Sequence, residues 1–166
     1  MKRDIELEPP QGITGFPLGA AAETVLAEAA EWGRVKVQDA GVADPVRHMK
    51  AVVLHPQFET VLHFEDGRTL TAAEVWIPRP GPEQITVRFR GLDVFRTPAR
   101  KLLERVEDMG FTVRDETLYA YVPQLSLGFT RVAGHEVPLD SDGEPLYFQA
   151  VLTGPADYYD YLAAEA

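Results

Sequence analysis

The chain contains no cysteine, which excludes disulfides, thiolate metal sites and thiol nucleophiles. Serine is nearly as scarce. Ser126 and Ser141 are the two present, and neither sits in a Gly-x-Ser-x-Gly turn. Histidine occurs four times, at His48, His55, His63 and His135, with no His-x-His or His-Glu-x-x-His spacing. No metal, no cofactor and no catalytic residue is therefore expected. No apolar run approaches the ~18 residues of a membrane-spanning helix. The opening MKRDIELEPP is charged where a secretion signal needs apolar residues, so the expectation is a cytoplasmic protein. Positive charge is short as well, giving a net charge of −10. That balance disfavours nucleic acid and anionic membrane as partners, since both select clustered cations.

What is present is an ordered alternation of elements. At 166 residues the chain can bury a core without staples. In GFPLGAAAETVLAEAAEWG, residues 15–33, the apolar positions Ala21, Val25, Ala29 and Trp32 share one helical face. Gly19 is the expected N-cap and Gly33 the expected left-handed C-cap of a helix over 20–32. The same stretch lacks the Lys and hydroxyl of a phosphate loop and the Gly-x-Gly-x-x-Gly of a dinucleotide fold. A second helix is expected over 97–110, with Thr97 as N-cap, Pro98 first in the helix, and Leu102, Leu103, Val106 and Met109 as its stripe. Short strand-like runs follow each helix: RVKVQDA, MKAVVLHP, FETVLHFED and AAEVWIPRP after the first, FTVRDE, LYAYVP, LSLGFTRV and PLYFQAVL after the second. Asp66-Gly67 and Asp142-Gly143 read as hairpin turns. In QITVRFRG, Ile85, Val87 and Phe89 alternate with Thr86, Arg88 and Arg90, as in a strand with one covered face. The expected fold is α+β in two similar halves, residues 1–80 and 81–166, each a helix packed on an antiparallel sheet.

The stretch FPLGAAAETVLAEAAEWG resembles the Phe-x-x-Gly-Met-Thr-x-x-Glu-Val pattern that opens each half of the β-lactamase inhibitory protein family, and that small outer-membrane assembly lipoproteins also carry. Gly19, Glu23, Thr24, Val25 and Leu26 are the matching positions, and Ala20-Ala21 replaces Met-Thr. The resemblance implies a duplicated α+β fold and a binding protein rather than an enzyme. That family is secreted and disulfide-linked, whereas this chain has no cysteine and is expected neither to be secreted nor to bind a β-lactamase. The second half is similar to a group of uncharacterised actinobacterial proteins, and small acidic proteins of this kind include immunity proteins.

Charge and aromatics are unevenly placed. Residues 79–105 hold seven basic and three acidic side chains, whereas residues 107–166 hold eleven acidic and two basic. Tyrosines crowd the same acidic end, and tyrosine suits interfaces because it combines a large ring with a polar tip. The expected partner-binding residues are Tyr119, Tyr121, Asp140, Asp142, Glu144, Tyr158 and Tyr159, with Tyr158 packed on Leu162 and Tyr159 facing outward. The expected function is non-enzymatic binding of a basic protein, of inhibitor or immunity type. The alternative is a small-molecule-binding or enzymatic domain with a pocket between sheet and helices, built around His63 and Glu65, which share a strand face. Oligomeric state and partner identity are not legible.

Overall fold

Short runs of Val, Phe, Leu and Tyr, interrupted by polar residues and turns, commit most of this chain to strand. The structure, a computed structural model, describes residues 3–39, 49–77, 85–132 and 137–159. The chain begins with β1 (Arg3–Glu8), β2 (Gly12–Ile13) and β3 (Phe16–Pro17), which lead into helix α1 (Ala22–Trp32). Four strands follow: β4 (Arg34–Asp39), β5 (Met49–His55), β6 (Phe58–Phe64) and β7 (Ala72–Trp76). The remaining elements also place a helix between strands. Strands β8 (Ile85–Phe89) and β9 (Leu92–Asp93) precede helix α2 (Ala99–Asp108). Then come β10 (Arg114–Asp115), β11 (Tyr119–Val122), β12 (Leu127–Thr130) and β13 (Ala150–Thr153). The expected boundary between residues 80 and 81 lies outside the described residues.

The fold is α+β. Its larger sheet is an eight-stranded antiparallel one in the order β10-β11-β12-β13-β7-β6-β5-β4. The two meanders join where β7 pairs with β13, from Ala73 opposite Thr153 to Trp76 opposite Ala150. The smaller sheet has the order β3-β2-β1-β8-β9, with β1 and β8 parallel and Ile5 beside Val87. Its alternation is as expected in β8, where Ile85, Val87 and Phe89 are buried. β1 had gone unrecognised in the sequence, although Ile5 and Leu7 are buried between exposed Asp4, Glu6 and Glu8.

Register fixes the faces, because residues opposite each other in antiparallel strands point the same way. Ala51, Leu62, Ala73, Thr153 and Leu127 form one row across β5, β6, β7, β13 and β12. All five are buried, on the face that forms the main core. Into the same core go Val25, Ala29 and Trp32 of α1, and Ala99, Leu102, Leu103 and Val106 of α2. The opposite face carries Val52, Val61, Glu74, Leu152, Gly128 and Tyr121 in one row from β5 to β11.

Both helices start later than their apolar spacing suggests. Gly19 N–H donates to the Leu70 carbonyl and Ala22 N–H to that of Arg68, so residues 19–21 are held by the 68–70 loop, and Ala21 forms the N-cap. α2 begins after Pro98 rather than at it. At the C-termini, Gly110 takes a left-handed φ of 99°. Gly33 does not: its φ of 168° is extended. Glycine is needed there for a different reason, since a Cβ would collide with the Leu54 carbonyl oxygen.

Candidate functional site

The acidic turn is built from its own backbone outward. Leu139 bridges to Pro145, Gly143 takes a φ of 82°, and Asp140 N–H donates to the Glu144 carbonyl at 2.7 Å. Asp140 Oδ1 then accepts the N–H groups of Asp142 at 2.9 Å and Glu144 at 3.0 Å. Its Oδ2 faces two arginines, Arg100 Nε at 3.3 Å and Arg131 Nη1 at 3.8 Å. The hydrogen bond from Glu144 N–H, then that from Asp142 and the two guanidinium charges, hold the Asp140 carboxyl below the usual carboxylate range. Arg100 also hydrogen-bonds Asp142, so the turn is clipped to α2. Arg131 is 4% exposed and lies over the Phe148 ring at 5.5 Å. Its Nη1 donates to the Pro145 carbonyl, while its buried Nε–H has no acceptor among the described residues.

Beside this turn lies a cleft of about 340 Å³. α2 contributes Glu104 and Glu107, β10 contributes Asp115, and the turn contributes Glu144, with Arg100 and Arg131 also lining it. The arginines are already engaged with Asp140 and Asp142. Among the described residues, Glu107, Asp115 and Glu144 make no ion pair, and Glu104 reaches only Lys101, at 3.9 Å. The cleft is thus electronegative. Four exposed apolar side chains stand around this end of the sheet: Leu118, Tyr119, Val132 and Leu139. Thr117 turns the β10–β11 hairpin with a φ of 73°, and Arg131 N–H donates to the Leu118 carbonyl across from it.

The tyrosines form a separate cluster on the outer face of the sheet. Tyr119 stacks on Tyr121 with centroids 6.1 Å apart, and Tyr121 on Tyr159 at 4.9 Å. Tyr158 meets Tyr159 edge-on at 5.0 Å. Two glycines make room. A Cβ on Gly128 would collide with the Tyr159 hydroxyl, and one on Gly154 would lie 2.6 Å from Tyr158 Cγ. Tyr159 therefore packs inward, contrary to the outward orientation expected of it, because Gly128 leaves a socket on β12 beneath it. Leu162, the expected partner of Tyr158, lies outside the described residues. Of the four, Tyr119 alone is exposed, at 43%, while Tyr121 is buried.

His63 and Glu65 do not form the expected pair. His63 Nε2 lies 3.3 Å from Oε1 of Glu74, diagonally across β6 and β7. A diagonal cross-strand neighbour on the same face lies within reach of long side chains such as these. Glu65 lies past the end of β6 and donates its N–H to Thr71 Oγ1. His55 stacks on Phe58 at 4.3 Å, and burial, followed by nearby positive charge, lowers its pKa. His48 and His135 lie outside the described residues. Among the described residues no three His, Asp or Glu side chains are grouped to hold a metal ion. A second cleft of about 380 Å³ lies between β3 and α1, at the glycine-containing stretch that precedes the helix, and none of its lining residues is basic.

The expected binding residues therefore fall into two groups. Asp140, Asp142 and Glu144 lie with α2 on the core side of the sheet. Tyr119, Tyr121, Tyr158 and Tyr159 lie on the other side, and the β10–β11 edge separates them. Glu104, Glu107, Asp115 and Leu118 were missed, because they become neighbours of the turn only through the packing of α2. No family model, no curated protein and no solved structure matches this chain.

Proposed function

We propose that the protein acts without catalysis by binding a basic protein, as an inhibitor or immunity-type protein, in the cytoplasm. The observation that carries this reading is the coincidence of an electronegative cleft with exposed Leu118, Tyr119, Val132 and Leu139 at one end of the sheet. Charge of one sign steers and orients a partner, and apolar anchors supply the affinity. The resemblance of Gly19 and Glu23–Leu26 to the opening motif of the β-lactamase inhibitory proteins supports a binding role. The common order of hairpin, helix and four-stranded meander supports an origin by duplication. The absence of cysteine from the chain suits a reducing compartment.

The test is capture of a protein from the source cell, followed by association and dissociation kinetics on the purified pair. Tyr119→Ala is expected to speed dissociation. Glu107→Gln with Asp115→Asn is expected to slow association and flatten its salt dependence, because charges are screened over about 8 Å at physiological ionic strength. A second reading, a small-ligand domain, is favoured by the same cleft, whose size is within the range of ligand pockets. Co-purification of a small cation, with no protein captured, would favour that second reading.

A further inference from the structure

Going beyond the basic-partner reading and independent of it, we propose that β4 is a docking edge. It takes, as an added strand of the large sheet, an extended partner segment whose residues alternate between acidic and apolar. The edge is open: β4 ends the order of that sheet and pairs with β5 alone among the described residues. At six residues it is long for an edge, whereas the other sheet ends, β10, β3 and β9, have two residues each. Native edges are blunted by shortness, by proline, by a bulge or by a charge pointing to the buried side. From Arg34 to Gln38, β4 has none of these. Its pairing to β5 runs unbroken from Arg34 opposite Leu54 to Gln38 opposite Lys50, and Val35 and Val37 take the core side.

The two sides of the strand set the chemistry of the guest. Val37 lies opposite Ala51, so it continues the row of Ala51, Leu62, Ala73, Thr153 and Leu127 to the margin of the core. Those five are buried, yet Val37 is 52% exposed. A further strand with apolar residues beside Val35 and Val37 extends that row by one place. On the outer side, Lys36 lies opposite Val52, and Lys50 lies opposite Gln38. Arg34, Lys36 and Lys50 make no ion pair among the described residues, in a chain of net charge −10. Carboxylates at alternate positions of the guest stand beside Arg34 and Lys36, where opposite charges across strands stabilise. A second copy is a poor guest, because an antiparallel pair of β4 strands brings these cations together. Backbone hydrogen bonds supply the affinity of such strand addition, and the alternation of side chains supplies its specificity.

The probe is a synthetic capped peptide, Glu-Val-Glu-Val-Glu, titrated into isotope-labelled protein while backbone amide shifts and hydrogen exchange are followed. The expected result is a saturable shift centred on residues 34–38 and 50–54, with slowed exchange of the β4 amides. The same peptide N-methylated at every residue should not bind, since it keeps the charge and loses the backbone donors. Lys-Val-Lys-Val-Lys should not bind either. Lys36→Glu should weaken the acidic peptide about tenfold and admit the lysine peptide instead. Lys36 is exposed, so the melting temperature of that variant should match the wild type. No saturable shift, a shift centred on another surface, equal binding of the N-methylated peptide, or self-association through β4 would each overturn the proposal. Any of these leaves the basic-partner reading standing, because that partner is assigned to the β10 end of the sheet, the far end from β4. Failure to capture a basic protein, with the peptide bound at β4, removes that reading and leaves this one.

Discussion

Gly128 and Tyr159 show at the level of single residues how one side chain depends on the absence of another. Glycine weakens a strand interior because it offers no side chain to pack, yet here the missing Cβ is what admits the tyrosine hydroxyl. Gly128→Ala should destabilise the fold by about 1–3 kcal/mol, the usual cost of overpacking. The collision is with the hydroxyl, so Tyr159→Phe in the same chain should recover most of the loss. A double-mutant cycle by urea denaturation measures this, and additive effects would mean that the socket is not filled as described. The sequence displayed the tyrosines but not their sides. DYYDYL has no strand or helix period of its own, and the glycine that orients Tyr159 lies thirty-one positions away.

At the level of elements, the acidic turn and α2 behave as one unit. Asp140 holds the turn's backbone and faces both Arg100 and Arg131. Its folded pKa is lowered, so its contribution to stability is complete above the unfolded value of 3.8 and is lost as pH falls through the lower folded value. Asp140→Asn should therefore flatten the fall in stability below about pH 4, measured as melting temperature against pH. At neutral pH it should cost more than Asp142→Asn, because it leaves buried Arg131 without a carboxylate. Equal losses from the two variants would remove Asp140 from this role. The helices, most of the strands after them and the Asp-Gly turns were legible from local period and turn chemistry, but FTVRDE supplies only Arg114–Asp115 to a strand and PLYFQAVL enters β13 only at Ala150. The cleft was not, since Glu107 and Asp115 are joined to Glu144 only by tertiary packing. The start of α1 was misplaced because its first turn is held by the distant 68–70 loop.

At the level of the whole molecule, the halves are interlocked. β7 pairs with β13 at the centre of the large sheet, and β1 of the first half lies against β8 of the second. Both tryptophans, Trp32 and Trp76, belong to the first half, and all six tyrosines to the second. Tryptophan fluorescence and the near-ultraviolet signal of the tyrosines should therefore report a single coincident unfolding transition in urea. Two separated transitions would mean that the halves fold independently. The β1–β8 pairing also bears on synthesis. Arg3 finds its partner only once Ile85 has left the ribosome, several seconds later at ~5–20 residues per second. During that interval β1 has the local β2 on one edge, while the edge that will take β8 stays open. Its alternate carboxylates, Asp4, Glu6 and Glu8, give it like charges to repel another chain waiting at the same stage, so the solvent face of this strand serves the unfinished protein as well as the finished one.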